Sequence, residues 1–106
     1  MVEKRIKNLK KLLNAYRKML EKKIRVKKLI LFGSYAQGTP RDYSDIDVAV
    51  ISPDFQGGTL EDYLLLGRAA REVTPLIEAF PYTPHDLKKR RPGDFLDEIL
   101  KTGKVF

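Results

Sequence analysis

Cysteine and tryptophan are absent from the 106 residues, and histidine occurs once, at His85. Without cysteine there is no disulfide framework, no thiolate metal site and no cysteine nucleophile, a composition that fits a cytoplasmic protein. A single imidazole in a Thr-Pro-His-Asp turn is a poor basis for Ser-His-Asp chemistry. No apolar run approaches the roughly eighteen residues of a membrane span, so no membrane partner is expected. The N-terminus lacks the apolar core and small-residue cleavage site of a signal peptide. The length suits one hydrophobic core, and residues 1–106 read as a single domain.

What is present is unevenly distributed charge. The formal net charge is +7, yet residues 1–28 hold twelve Lys or Arg against two Glu, while residues 29–106 hold nine against twelve acids. The basic part coincides with an apolar stripe of Val2, Ile6, Leu9, Leu13, Tyr16 and Leu20, spaced alternately by four and three residues. That period predicts an amphipathic helix ending near residues 21–23. Its lysines fit either a solvated face or a surface for an acidic partner or nucleic acid.

Residues 28–32 (Lys-Leu-Ile-Leu-Phe) are a short apolar run stopped by Gly33, which predicts a buried strand. Ser34 to Gly38 can form a turn or two of helix, and Pro40 breaks any continuation. A second strand is expected from Asp45 to Ile51. Thr59 reads as the N-cap of a helix reaching about Glu72, with Glu61 and Asp62 in its first turn. A third strand, Leu76 to Phe80, is bounded by Pro75 and Pro81. A brief helical turn over 86–90 and a helix over 94–101 with a glycine stop at Gly103 complete the chain. The sum is a small sheet with helices packed against it.

Asp45 and Asp47 open the second strand, so their side chains leave one face about 6.5–7 Å apart along the backbone. Two carboxylates there repel each other unless they share a cation, and oxygen ligands suit a hard ion such as Mg²⁺. Glu78 interrupts the third apolar strand and, if that strand neighbours the second, approaches the same ion. It could instead sit on an exposed edge or pair with an arginine. Gly33-Ser34 ends the first strand. There, glycine admits phosphate oxygens to the backbone, and the N–H groups of the following turn, with the Ser34 hydroxyl, make an anion site. Gly38 lets the chain turn back toward the aspartates. This is not a Walker A loop, since no Gly-Lys-Ser/Thr follows.

Gly33-Ser34, ten residues, then Asp45-x-Asp47 resembles the signature of the DNA polymerase β-type nucleotidyltransferase superfamily. The short chain is similar to its minimal nucleotidyltransferase branch, known from MNT–HEPN toxin–antitoxin pairs. The likeness extends to Ser44-Asp45-Ile46-Asp47, to the acid of the third strand and to Pro-Tyr-Thr-Pro at 81–84. It implies an α+β fold, a small mixed sheet with helices on one face. It implies two Mg²⁺ ions on Asp45, Asp47 and Glu78, and ATP bound at Gly33, Ser34, Gly38 and Ser44. The chain departs from the pattern at Glu78, where aspartate is more usual, and at Gln37, where a basic residue often precedes the second glycine.

The implied function is transfer of AMP from ATP to a hydroxyl, a tyrosine of a partner HEPN toxin, which the modification would silence. A non-catalytic antitoxin that neutralises its partner by docking is the first alternative. A nucleic-acid-binding module using the basic helix is the second, disfavoured because exposed aromatics are not interleaved with its lysines. The basic helix, residues 63–66 and Phe106 are the candidate docking surfaces for a partner.

Overall fold

The computed structural model describes residues 2–38 and 45–106, with side chains from Asn8 onward. The side chains of Val2 and Ile6, and residues 39–44 with Pro40, Arg41 and Ser44, where a loop is expected, lie outside the described residues. In chain order the elements are α1 (Val2–Glu21), β1 (Lys28–Phe32), β2 (Ile46–Ile51), α2 (Leu60–Arg71), β3 (Ile77–Tyr82), α3 (Pro84–Lys89), α4 (Phe95–Thr102) and β4 (Lys104–Val105).

The sheet has the order β3-β2-β1-β4. Strand β1 runs antiparallel to β2 and to β4, whereas β2 and β3 are parallel. Parallel neighbours need a crossover, and α2 supplies it. Thr59 caps that helix: its hydroxyl accepts the Asp62 N–H, and the Asp62 carboxylate accepts the Thr59 N–H in return. The same buried carboxylate also gathers the N–H groups of Gln56 and Gly58, which shapes the loop before the helix.

One sheet face carries Leu29, Leu31, Ile46, Val48, Val50 and Ile77 against the stripe of α1 and the inner side of α2. Leu9, Leu13, Tyr16 and Leu20 of the stripe are all buried there, as their spacing predicts. Tyr16 has no exposed surface, and its phenol donates to the Leu66 carbonyl at 3.0 Å, tying the two helices together. Burial pushes that phenol well above the usual tyrosine range. Between α1 and β1, Arg25 clasps Asp54 through its guanidinium at 2.8 Å and its own N–H at 2.7 Å.

The expected α+β architecture with a mixed sheet is the one observed. Its helices, however, lie on both faces. Strands β1 and β2 are apolar on both sides, so Ile30, Phe32, Ala49 and Ile51 also need cover, which Ile99 and Leu100 of α4 and Leu87 of α3 supply. Other details differ from expectation for local reasons. Residues 34–38 form a turn rather than a regular helix, with the Gln37 N–H on the Gly33 carbonyl at 3.1 Å. Strand β3 continues through Pro81, which an edge strand tolerates because one side of its backbone has no ladder to serve. Gly103 ends α4 without the left-handed backbone of a common glycine stop: its φ is −80°. Glycine is required there by proximity, since a Cβ would collide with the Ile99 carbonyl and the Ile30 side chain as the chain turns into β4.

Candidate functional site

The register of β1 on β2 pairs Phe32 with Asp47, which brings the exit of the first strand against the opening of the second. Gly33 follows with φ +72°, a backbone region that favours glycine. Its second constraint is space, because a Cβ would overlap the Asp47 Oδ2 and stand 3.3 Å from its Cγ. The glycine turn and the acid pair, read separately from the sequence, are thus in contact. Ser34 is half-buried in the turn behind Gly33, and Gly38 (φ +74°) ends the turn in open space. Ser44 lies outside the described residues.

Strand β3 supplies the third acid. Its parallel register pairs Glu78 with Asp47 directly. Alternation puts Asp47 on the face of Ala49 and Ile51, and Glu78 on that of Phe80 and Tyr82, the same face of the sheet. Glu78 is exposed and Asp47 half-buried, while Asp45 stands exposed just before β2. The Asp47 carboxyl is pushed up to about 6, first by burial, then by the charges of Glu78 and Asp45. Every influence on it has the same sign. Among the described residues, no three carboxylates or imidazoles converge on one ion position. The donors nevertheless suit a hard divalent cation, being all oxygen, and a cation would convert their repulsion into ligation.

Spacing does not single out a further group on this face. Phe32, Phe80 and Phe95 form an aromatic triangle with ring centroids 5.6–6.0 Å apart. Phe32 and Phe80 pack into the second core cluster, whereas Phe95, at the start of α4, is 57% exposed. An aromatic at the head of an amphipathic helix reads as core in a sequence, and only packing shows otherwise.

Two hollows lie away from the acids. A groove of about 540 Å³ separates the end of α1 from α2, with Met19, Leu64 and Leu65 in its wall and Lys22 and Arg68 beside them. A smaller one, about 330 Å³, lies near Gly58, Tyr63, Tyr82 and Lys89. Neither is lined by Gly33, Asp45, Asp47 or Glu78. Of the docking surfaces expected from sequence, Tyr63 and Leu64 are exposed and Leu66 is buried. Phe106 packs against the first core cluster, held by its N–H on the Leu29 carbonyl, because β4 carries it back onto the sheet. Among the described residues, no helix is long and apolar enough to cross a membrane.

A family model described as "Nucleotidyltransferase domain" matches residues 9–101. Two proteins of Methanocaldococcus jannaschii, each named "Putative protein adenylyltransferase", are similar to the chain. One is 38% identical over 58% of this chain and 76% of its own length, the other 41% over 60% and 71%. A crystal structure titled as a putative nucleotidyltransferase from Sulfolobus solfataricus shares the fold with a TM-score of 0.68 at 18% identity, over 99% of this chain and 84% of that one. A second, titled as a toxin–antitoxin with AMP-PNP, has a TM-score of 0.64 at 26% identity, over 87% of this chain and 69% of that one.

Proposed function

The chain belongs to the nucleotidyltransferase domain family, and on that premise we propose that it transfers AMP from ATP to a hydroxyl of a partner protein. The acceptor in this reading is a tyrosine of a HEPN-family toxin, and the modification makes the chain an antitoxin. The observation that carries it is the contact of Gly33 with Asp47 while Glu78 stands in register beside the same aspartate. A glycine turn set against a group of acids fits phosphoryl-type transfer, which needs both an anion site and carboxylates for the metal. The relatives named as protein adenylyltransferases and the toxin–antitoxin neighbour with AMP-PNP support the substrate and partner.

Asp45, Asp47 and Glu78 would hold Mg²⁺, two ions when the site is filled, which supplies charge neutralisation at the phosphates. The remaining work falls to the chain itself. The N–H groups of the turn after Gly33 and the Ser34 hydroxyl take triphosphate oxygens. Gly38 and Ser44 are the further nucleotide-binding positions of this reading. The acceptor oxygen attacks the α-phosphorus and forms the new O–P bond. The bond from that phosphorus to the bridging oxygen breaks, and pyrophosphate leaves with the electron pair. Glu78, exposed at the rim, accepts the hydroxyl proton. No covalent intermediate on the chain is required, which suits a protein without cysteine.

The test uses ATP labelled on either the α- or the γ-phosphate, mixed with the chain and its HEPN partner. The expected result is α-label on the partner, dependent on Mg²⁺ and lost in the Asp45→Asn/Asp47→Asn variant. Transfer of γ-label would overturn nucleotidyl transfer. Neutralisation of the toxin with no label transferred would establish the docking-only antitoxin instead.

A further inference from the structure

We propose that Phe32, Phe80 and Phe95 form the nucleobase platform of this site, with Phe95 the ring on which the base of the nucleotide stacks. The proposal rests on the nucleotide-binding reading above and adds the half of the ligand that the acids and the glycine turn leave unaccounted for. Phosphates and metal are matched by Gly33, Ser34, Asp45, Asp47 and Glu78. A base, planar and only weakly charged, needs a π surface within one ribose of the α-phosphate.

Position supports the assignment. Phe32 immediately precedes Gly33 and is the cross-strand partner of Asp47. Phe80 is two residues along β3 from Glu78 and on the same face, about 7 Å away along the strand. Phe95 contacts both rings, at 5.7 and 6.0 Å between centroids, with interplanar angles of 84° and 66°. The aromatic triangle therefore adjoins the acids on one face of the sheet. Exposure supports it as well. Phe32 is buried and serves the core, but Phe95 leaves 57% of its surface in water while held by two rings. A large apolar ring fixed in place and left uncovered is a surface prepared for a flat ligand. The half-burial of Asp47 is consistent with apolar groups at its side.

Calorimetric titration with two probes, ATP and inorganic tripolyphosphate, each with Mg²⁺, separates the base from the phosphates. Stacking on an aromatic ring is worth about 1–3 kcal/mol per base, so Phe95→Ala should weaken ATP roughly 5- to 150-fold and leave tripolyphosphate unchanged. Phe95→Tyr should retain ATP affinity. Phe95→Leu keeps apolar bulk without the ring and should show most of the loss; full affinity in that variant would overturn stacking. Because Phe95 is exposed, these variants should fold, and circular dichroism of each checks it. Unchanged ATP affinity in Phe95→Ala overturns the proposal and leaves the phosphate site standing, as does an equal loss for both probes. If the wild-type chain binds neither probe, the nucleotide reading falls and this one with it.

Discussion

The two faces of the sheet are built from the same two central strands, yet they are finished differently. On the first, every position of β1, β2 and β3 that faces α1 and α2 is aliphatic, and the polar group at its centre, the Tyr16 hydroxyl, has its partner in the Leu66 carbonyl. On the second, aliphatic cover from α4 extends over Ile30, Ala49 and Ile51 and then gives way to Phe80, Phe95, Asp47 and Glu78. The comparison shows how a chain this short can hold like charges together. A closed apolar face supplies the burial that stabilises the fold, and the open face can carry repulsion that a ligand relieves.

The largest expected effect breaks the open face. Asp47→Asn should reduce metal-dependent nucleotidyl transfer on the order of 10³-fold, since ligand and charge are lost together. The same change should raise the thermal midpoint of the metal-free chain above pH 6, because it removes a charge that burial disfavours and that Glu78 and Asp45 repel. A variant both inactive and less stable than wild type would contradict the contrast between the faces.

The next breaks the closed face. Leu13→Ala deletes a side chain that is 2% exposed and should destabilise the fold by about 2–5 kcal/mol, measured by urea unfolding. Affinity for Mg²⁺-ATP in the fraction that remains folded should be unchanged.

Gly33→Ala tests the seam where the faces meet. A side chain at φ +72° costs roughly 1–2 kcal/mol, and the added Cβ must displace the Asp47 carboxylate. Stability and Mg²⁺-ATP affinity should fall together, which no substitution confined to either face should do.

The smallest effect is a pH slope. The Asp47 carboxyl titrates near 6 in the folded chain against an ordinary 3.8, so the folded state holds more protons between those values. Stability of the metal-free chain should be fullest below about pH 4 as regards this group, and decline as pH rises through 6. Saturating Mg²⁺-ATP should flatten that slope, as should Asp47→Asn. Thermal melts across pH 4–7 read it, and a slope of the opposite sign in the difference between wild type and Asp47→Asn would refute it.

Much of this was legible before any coordinates. The stripe Leu9, Leu13, Tyr16, Leu20 and the Thr59 cap are local patterns, and local physics carries them into the fold unchanged. Strand β4 was not legible, because two residues show no period and pair only after Gly103 has brought them against β1. The passage of β3 through Pro81 was missed because its tolerance depends on being at an edge, which is a property of the assembled sheet.

At the site the division is similar. The spacing of Gly33-Ser34 from Asp45-x-Asp47 was readable because it resembles a family signature, and the shared face of the two aspartates follows from alternation. Sequence by itself determined most of the elements, the acidic pair and the glycine that ends β1. Tertiary structure decided that Glu78 is the in-register neighbour of Asp47, that Gly33 touches that carboxylate, and that Phe95 stands uncovered beside them. Those relations come from the antiparallel pairing of β1 with β2, the parallel pairing of β2 with β3 and the docking of α4. They join residues fourteen or more apart in the chain, where no repeating pattern links one to the other.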